Sequence, residues 1–111
     1  YLAPENRNNS DMINRVRAMT QRLGPDVFIR QTRIARPDSR ASLTGITCPT
    51  LVLCGNHDQL TPPELHRSMA SLIPSADLVV LEHSGHLTPL EEPENVTDHL
   101  KRLLQRNPVR K

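Results

Sequence analysis

Thr50-Leu51-Val52-Leu53-Cys54-Gly55-Asn56-His57-Asp58 and Leu78-Val79-Val80-Leu81-Glu82-His83-Ser84-Gly85-His86 carry the same pattern twice. Each opens as an apolar, β-branched run suited to a buried strand and passes directly into a loop that carries an acid or a base. The first run is continuous enough to predict a strand covered on both faces. Between the two lies Thr61-Pro62-Pro63-Glu64, a capping-box pattern with proline at the first helical position. It opens a helix over about residues 62–73 with Leu65, Met69, Leu72 and Ile73 as its inner stripe. Strand, loop, helix, strand, loop is the order of a parallel crossover. Open parallel sheets keep their chemistry at the carboxyl ends of the strands, which is where Asp58 and His86 fall.

Outward from this centre the pattern is helical. Met12, Val16, Met19 and Leu23 recur at helix spacing over residues 9–23, with Asn9 or Ser10 as cap and Gly24 just past the end. A second helix is predicted from Pro25, holding Val27, Phe28, Ile34 and Ala35. It stops before Arg36-Pro37-Asp38-Ser39-Arg40, because the residue ahead of a proline disfavours helix and the stretch reads as connector. The last helix runs from about Glu94 to Gln105, with Val96, Leu100, Leu103 and Leu104 as the stripe that faces the sheet.

Composition narrows the function classes. The chain has 111 residues, enough for one domain. Only 36% are hydrophobic and Tyr1 and Phe28 are the aromatics, so the core is thin. Residues 1–47 carry eight arginines and four acids, net +4, and residues 48–111 six basic residues and eight acids, net −2. That is a solvated basic helical surface without interleaved aromatics, which argues against a nucleic-acid partner. No apolar run reaches membrane-spanning length and no signal peptide is evident, so the expectation is a soluble cytoplasmic protein without a membrane partner. Cys48 and Cys54 flank one extended segment, too far apart to bridge, and read as reduced thiols.

From Cys48 to Leu104 the chain resembles the carboxyl-terminal part of the α/β-hydrolase fold, in the branch of small esterases, lactonases and carbon–carbon bond hydrolases. Pro49-Thr50-Leu51-Val52-Leu53 followed by Gly55-x-x-Asp58 looks like the family's penultimate strand and its acid. Ala70, Ile73-Pro74 and Ala76 look like the helix and turn that follow. Ser84-Gly85-His86 matches the final catalytic loop, and Glu91-Glu92-Pro93 resembles the acid-x-proline that opens the last helix. Residues 1–47 are more weakly similar to the end of the helical cap. The resemblance implies an α/β fold: the carboxyl-terminal portion of an α/β-hydrolase sheet, two parallel strands with flanking helices, preceded by cap helices. It divides the chain into 1–47, end of cap and connector, and 48–111, core.

It also implies roles. His86 would be the base that takes a nucleophile's proton, and Asp58 the carboxylate that holds its tautomer, with Gly85 allowing the loop a tight turn. His57, His66, His83 and His99 match no catalytic position and are expected to be solvated or capping. Cys48, Cys54, His57 and His83 lack the spacing of a zinc site, and no metal or other cofactor is expected. Glu91 and Glu92, being adjacent, would point apart and favour the start of the last helix.

The serine elbow Gly-x-Ser-x-Gly and an oxyanion loop are missing, since Gly24, Gly45, Gly55 and Gly85 have no such spacing. The expected function is therefore the acid-and-base portion of a serine-type hydrolase of an ester, lactone or related small carbonyl substrate. It would be inactive as this fragment, its partner being the remainder of the hydrolase chain. A cofactor-free haloperoxidase or a dehalogenase is a neighbouring reading. The alternative from another class is a non-catalytic remnant or protein-interaction module using exposed sheet edges.

Overall fold

The computed structural model describes residues 1–107. Thr50–Gly55 (β1) and Ala76–Leu81 (β2) pair in parallel, Thr50 opposite Ala76 and Gly55 opposite Leu81. Among the described residues the sheet has these two strands. A 3-10 turn at Pro4–Asn6, then α1 (Ser10–Leu23), α2 (Pro25–Thr32) and α3 (Arg40–Leu43) precede β1. The crossover helix α4 (Pro63–Leu72) joins the strands, and α5 (Thr88–Glu91) and α6 (Pro93–Arg106) follow β2. Two parallel strands with flanking helices are the architecture predicted. Among the described residues no helix is long and apolar enough to cross a membrane.

The helix boundaries follow local chemistry. The Asn9 side chain accepts the Met12 amide and so caps α1, and Gly24 ends it in a positive-φ conformation, 79°, that side-chain-bearing residues rarely adopt. The helix α2 stops at Thr32, short of the predicted Ile34 and Ala35, because the Arg33 and Ile34 amides bond to carbonyls three residues back and tighten the end. The expected connector contains one helical turn, α3. Asp38 precedes it, accepting the Arg40 amide and pairing with the guanidinium, which brings its carboxyl down to about 2.

Four expectations about packing and strand limits are corrected. Val52 and Cys54 of β1 are buried but Leu51 and Leu53 are only half-buried, so the strand is not covered equally on both faces. Leu51 and Val79 instead share a cavity of about 190 Å³ with His99 and Leu103 of α6. That contact also sets the stripe of α6: Val96, His99 and Leu103 are half-buried, whereas Leu100 and Leu104 are exposed. On α4 the covered positions are Pro63, His66, Ala70 and Leu72, with Ile73 buried just past its end, so Leu72 and Ile73 of the expected stripe are covered. Leu65 and Met69 are exposed and line a cavity of about 310 Å³ with Leu72 and Arg40 of α3. Finally, β2 begins at Ala76, two residues earlier than predicted, because pairing starts directly after the turn, where the Thr50 amide donates to the Ser75 carbonyl.

The buried apolar residues are few: Ala3, Val52, Cys54, Ile73 and Leu81. Ala3, fully buried, belongs physically with the far end of the chain. Its amide is bonded to Glu91, which ties residues 1–6 to the core segment.

Candidate active site

The end of β1 and the end of β2 are laced together before either functional side chain is reached. The Asn56 amide extends the pairing to the Leu81 carbonyl at 2.8 Å, and the His57 amide donates to the Ser84 carbonyl at 2.9 Å. Gly55 makes this approach feasible: a Cβ there would lie 2.1 Å from the Gly85 carbonyl oxygen. Gly85 is required for the same reason and not for a special turn. A Cβ on it would lie 2.3 Å from the Tyr1 carbonyl oxygen, and among the described glycines positive φ occurs at Gly24 alone.

On this frame the structure brings Asp58 and His86 together, with Nδ1 of His86 2.9 Å from Oδ2 of Asp58. The Asp58 side chain is 4% exposed and the His86 ring 35%. Oδ1 of Asp58 accepts the amides of Leu60 and Thr61, each at 3.0 Å, and Oδ2 also accepts the Thr61 hydroxyl at 2.9 Å. The capping box expected at Thr61 is thus not formed. Pro62 stays extended at ψ 160°, as the residue before a proline prefers, α4 starts at Pro63, and the Thr61 side chain turns to the carboxylate.

Burial opposes ionisation of Asp58, but the Thr61 amide, the His86 ring and the Thr61 hydroxyl outweigh it and hold the carboxyl below its ordinary value of 3.8. An ionised carboxylate only accepts, so Nδ1 of His86 carries the proton and Nε2 presents its lone pair. Because the folded value is depressed, the stability Asp58 contributes is complete above about pH 4 and is lost as pH falls through the folded value. In thermal melts of the full gene product, the gap in Tm between wild type and Asp58→Asn is expected to narrow as pH falls below about 4. A gap independent of pH there would contradict it.

The remaining histidines take separate places. Nδ1 of His66 bonds to the Pro62 carbonyl at 3.2 Å, His99 lines the α6 cavity, and His57 lines an open polar cavity with Arg7 and Arg67. His83 is exposed and paired with Glu5 at 2.9 Å, which raises its pKa above the ordinary 6.5. Cys48 is exposed and Cys54 buried, both free, and burial pushes the Cys54 thiol up.

Glu92 is the cap residue of α6 and accepts the Asn95 side-chain amide in its first turn, whereas Glu91 does not serve the helix start. Both turn back onto the histidine loop. Glu92 accepts the His83 amide and the hydroxyl of fully buried Ser84, and Glu91, itself buried, accepts the Gly85 amide.

An apolar cavity of about 290 Å³ adjoins the histidine. Val16, Met19, Leu23 and Phe28 of α1 and α2 line it together with Leu87 and Tyr1, whose ring centroid is 5.8 Å from that of His86.

A parallel crossover that sets a buried carboxylate against an imidazole at the carboxyl edge of the strands places the chain among the α/β folds. The chain belongs to the alpha/beta hydrolase fold family, whose model matches residues 5–93. The proline iminopeptidase of Heyndrickxia coagulans is 38% identical over 71 residues, 64% of this chain and 24% of that protein. A thermophilic esterase from Thermogutta terrifontis superposes with a TM-score of 0.82 at 34% identity, covering 95% of this chain and 40% of that one. The enol-lactonase from Burkholderia xenovorans LB400 gives a TM-score of 0.57 at 30% identity over 60% of this chain and 25% of its own. The chain spans about a quarter of the length of the curated relatives it matches.

Proposed function

We propose that this chain supplies the acid and base of a serine-type hydrolase acting on an ester, lactone or related small carbonyl compound, the nucleophile coming from sequence outside residues 1–111. The observation that carries it is the 2.9 Å contact between His86 Nδ1 and a buried, ionised Asp58, which leaves Nε2 as the proton acceptor. In that role Nε2 takes the nucleophile's proton as it attacks the acyl carbon and returns it to the leaving group, while Asp58 stabilises the imidazolium. The names of the relatives span a peptidase, an esterase and a lactonase, whose shared chemistry is attack on an acyl carbonyl. The apolar cavity beside Tyr1 and Leu87 suits the hydrocarbon part of such a substrate. In this reading α1 to α3 form the end of a cap and its connector. Two free cysteines suit a reducing compartment, and we place the enzyme in the cytoplasm.

The test is to label the full gene product with a fluorophosphonate and to assay p-nitrophenyl acetate and butyrate. The expected result is one modified serine and turnover of at least one ester, with neither label nor turnover for residues 1–111 expressed alone. That shorter chain is also expected to melt without cooperativity, since a two-stranded parallel sheet leaves strand edges unpaired. A full gene product that neither labels nor turns over would favour a non-catalytic interaction module.

A further inference from the structure

The histidine loop is held by more than the sheet beneath it. The amides of Gly85 and His86, consecutive in the chain, are each bonded to a partner distant from the strands. Gly85 donates to Oε2 of Glu91 at 2.8 Å, and His86 donates to the Tyr1 carbonyl at 2.6 Å. Those two partners are themselves joined, because Oε1 of Glu91 accepts the Ala3 amide at 2.6 Å and the Asn6 side-chain amide at 3.1 Å. One buried carboxylate thus fixes the loop directly and also fixes the segment whose carbonyl holds the histidine. Every donor it meets is an uncharged N–H, and nothing in that arrangement serves the start of α6, whose cap residue is Glu92.

We propose that Glu91 is a positioning residue for His86: its carboxylate clamps the Gly85 amide and the Ala3–Asn6 segment so that the imidazole is held against Asp58. The consequence for turnover rests on the reading of His86 as the base; the positioning itself does not. Glutamine separates the two. It keeps the volume of Glu91 but replaces one acceptor oxygen with an amide NH2, so donor faces donor either at Gly85 or at Ala3 and Asn6, and half of the clamp opens.

The experiment is nitrogen-15 NMR of the full gene product together with p-nitrophenyl butyrate kinetics. In the wild type, His86 is expected to show an exchange-protected Nδ1–H in the neutral ring. In Glu91→Gln that proton is expected to exchange at least about tenfold faster while the amides of β1 and β2 keep their protection. A displacement of order 1 Å then lowers kcat for the butyrate roughly 10²-fold, with KM little changed. A His86 Nδ1–H as protected in Glu91→Gln as in the wild type overturns the proposal, whatever the rate. Faster exchange with unchanged turnover upholds the positioning and counts against His86 as the base. If Glu91→Gln does not fold, Asn6→Ala carries the test, since it removes one donor from the same oxygen: exchange about threefold faster supports the clamp and wild-type exchange overturns it.

Discussion

Under the proposed function, replacing His86 with alanine is expected to lower turnover of the full gene product by at least about 10³-fold, because among the described residues no other imidazole meets Asp58 to accept and return a nucleophile's proton. Asp58→Asn is expected to be comparably severe. The amide can donate to Nδ1, which would place the imidazole proton on Nε2, where the lone pair is needed. His83→Ala is the control three residues away, its ring exposed and paired with Glu5. The loss should appear in kcat at saturating p-nitrophenyl ester. Equal losses at His83 and His86 would instead mean that the loop, and not proton transfer, had been damaged.

Gly55→Ala and Gly85→Ala are expected to cost stability at or above the upper end of the usual range for overpacking, about 3 kcal/mol. In each case the new methyl would fall well inside contact distance of a backbone carbonyl, at 2.1 Å and 2.3 Å, and backbone cannot rotate aside as a side chain does. Gly45→Ala provides the comparison, since its nearest neighbour would be the Ser42 carbonyl at 3.6 Å. Urea unfolding of the full gene product measures all three. A Gly55→Ala protein as stable as Gly45→Ala would show that the loops after β1 and β2 are not held as closely as described.

The crossover was legible in the sequence because its signals were local and redundant. Apolar runs at Leu51–Leu53 and Leu78–Leu81 bracket a proline-started helix, and the structure pairs them in parallel. The caps of α1 were legible for the same reason, in Asn9 and Gly24. Facing directions were legible only in part. Leu72, Ile73, Val96 and Leu103 are covered as their periodicity implies, but Leu65, Met69, Leu100 and Leu104 satisfy the same periodicity and are exposed, because which of several adjacent positions meets the sheet depends on where the helix starts and on its neighbours.

At the site, the juxtaposition of Asp58 with His86 followed from strand order and was visible beforehand. The work of Thr61, Glu91 and Glu92 was not. Thr61 carries a capping signature that competes with its bond to Asp58, and a buried carboxylate is recognised only by its donors, which for Glu91 include Ala3 and Asn6. No pattern in residues 83–93 names them.

The bond from Ala3 to Glu91 spans 88 positions of sequence. Joining points so far apart in an unfolded chain carries a closure entropy on the order of 4 kcal/mol, which must be met before the contact returns anything. Helices α1 and α6 need no such encounter and are free to form early from their own turns. The histidine loop has to wait until the first residues have come back to it. Its geometry should therefore be among the last native features acquired during refolding and, under mild denaturant, among the first surrendered, so that competence for chemistry is gained after most of the helix signal and lost before it.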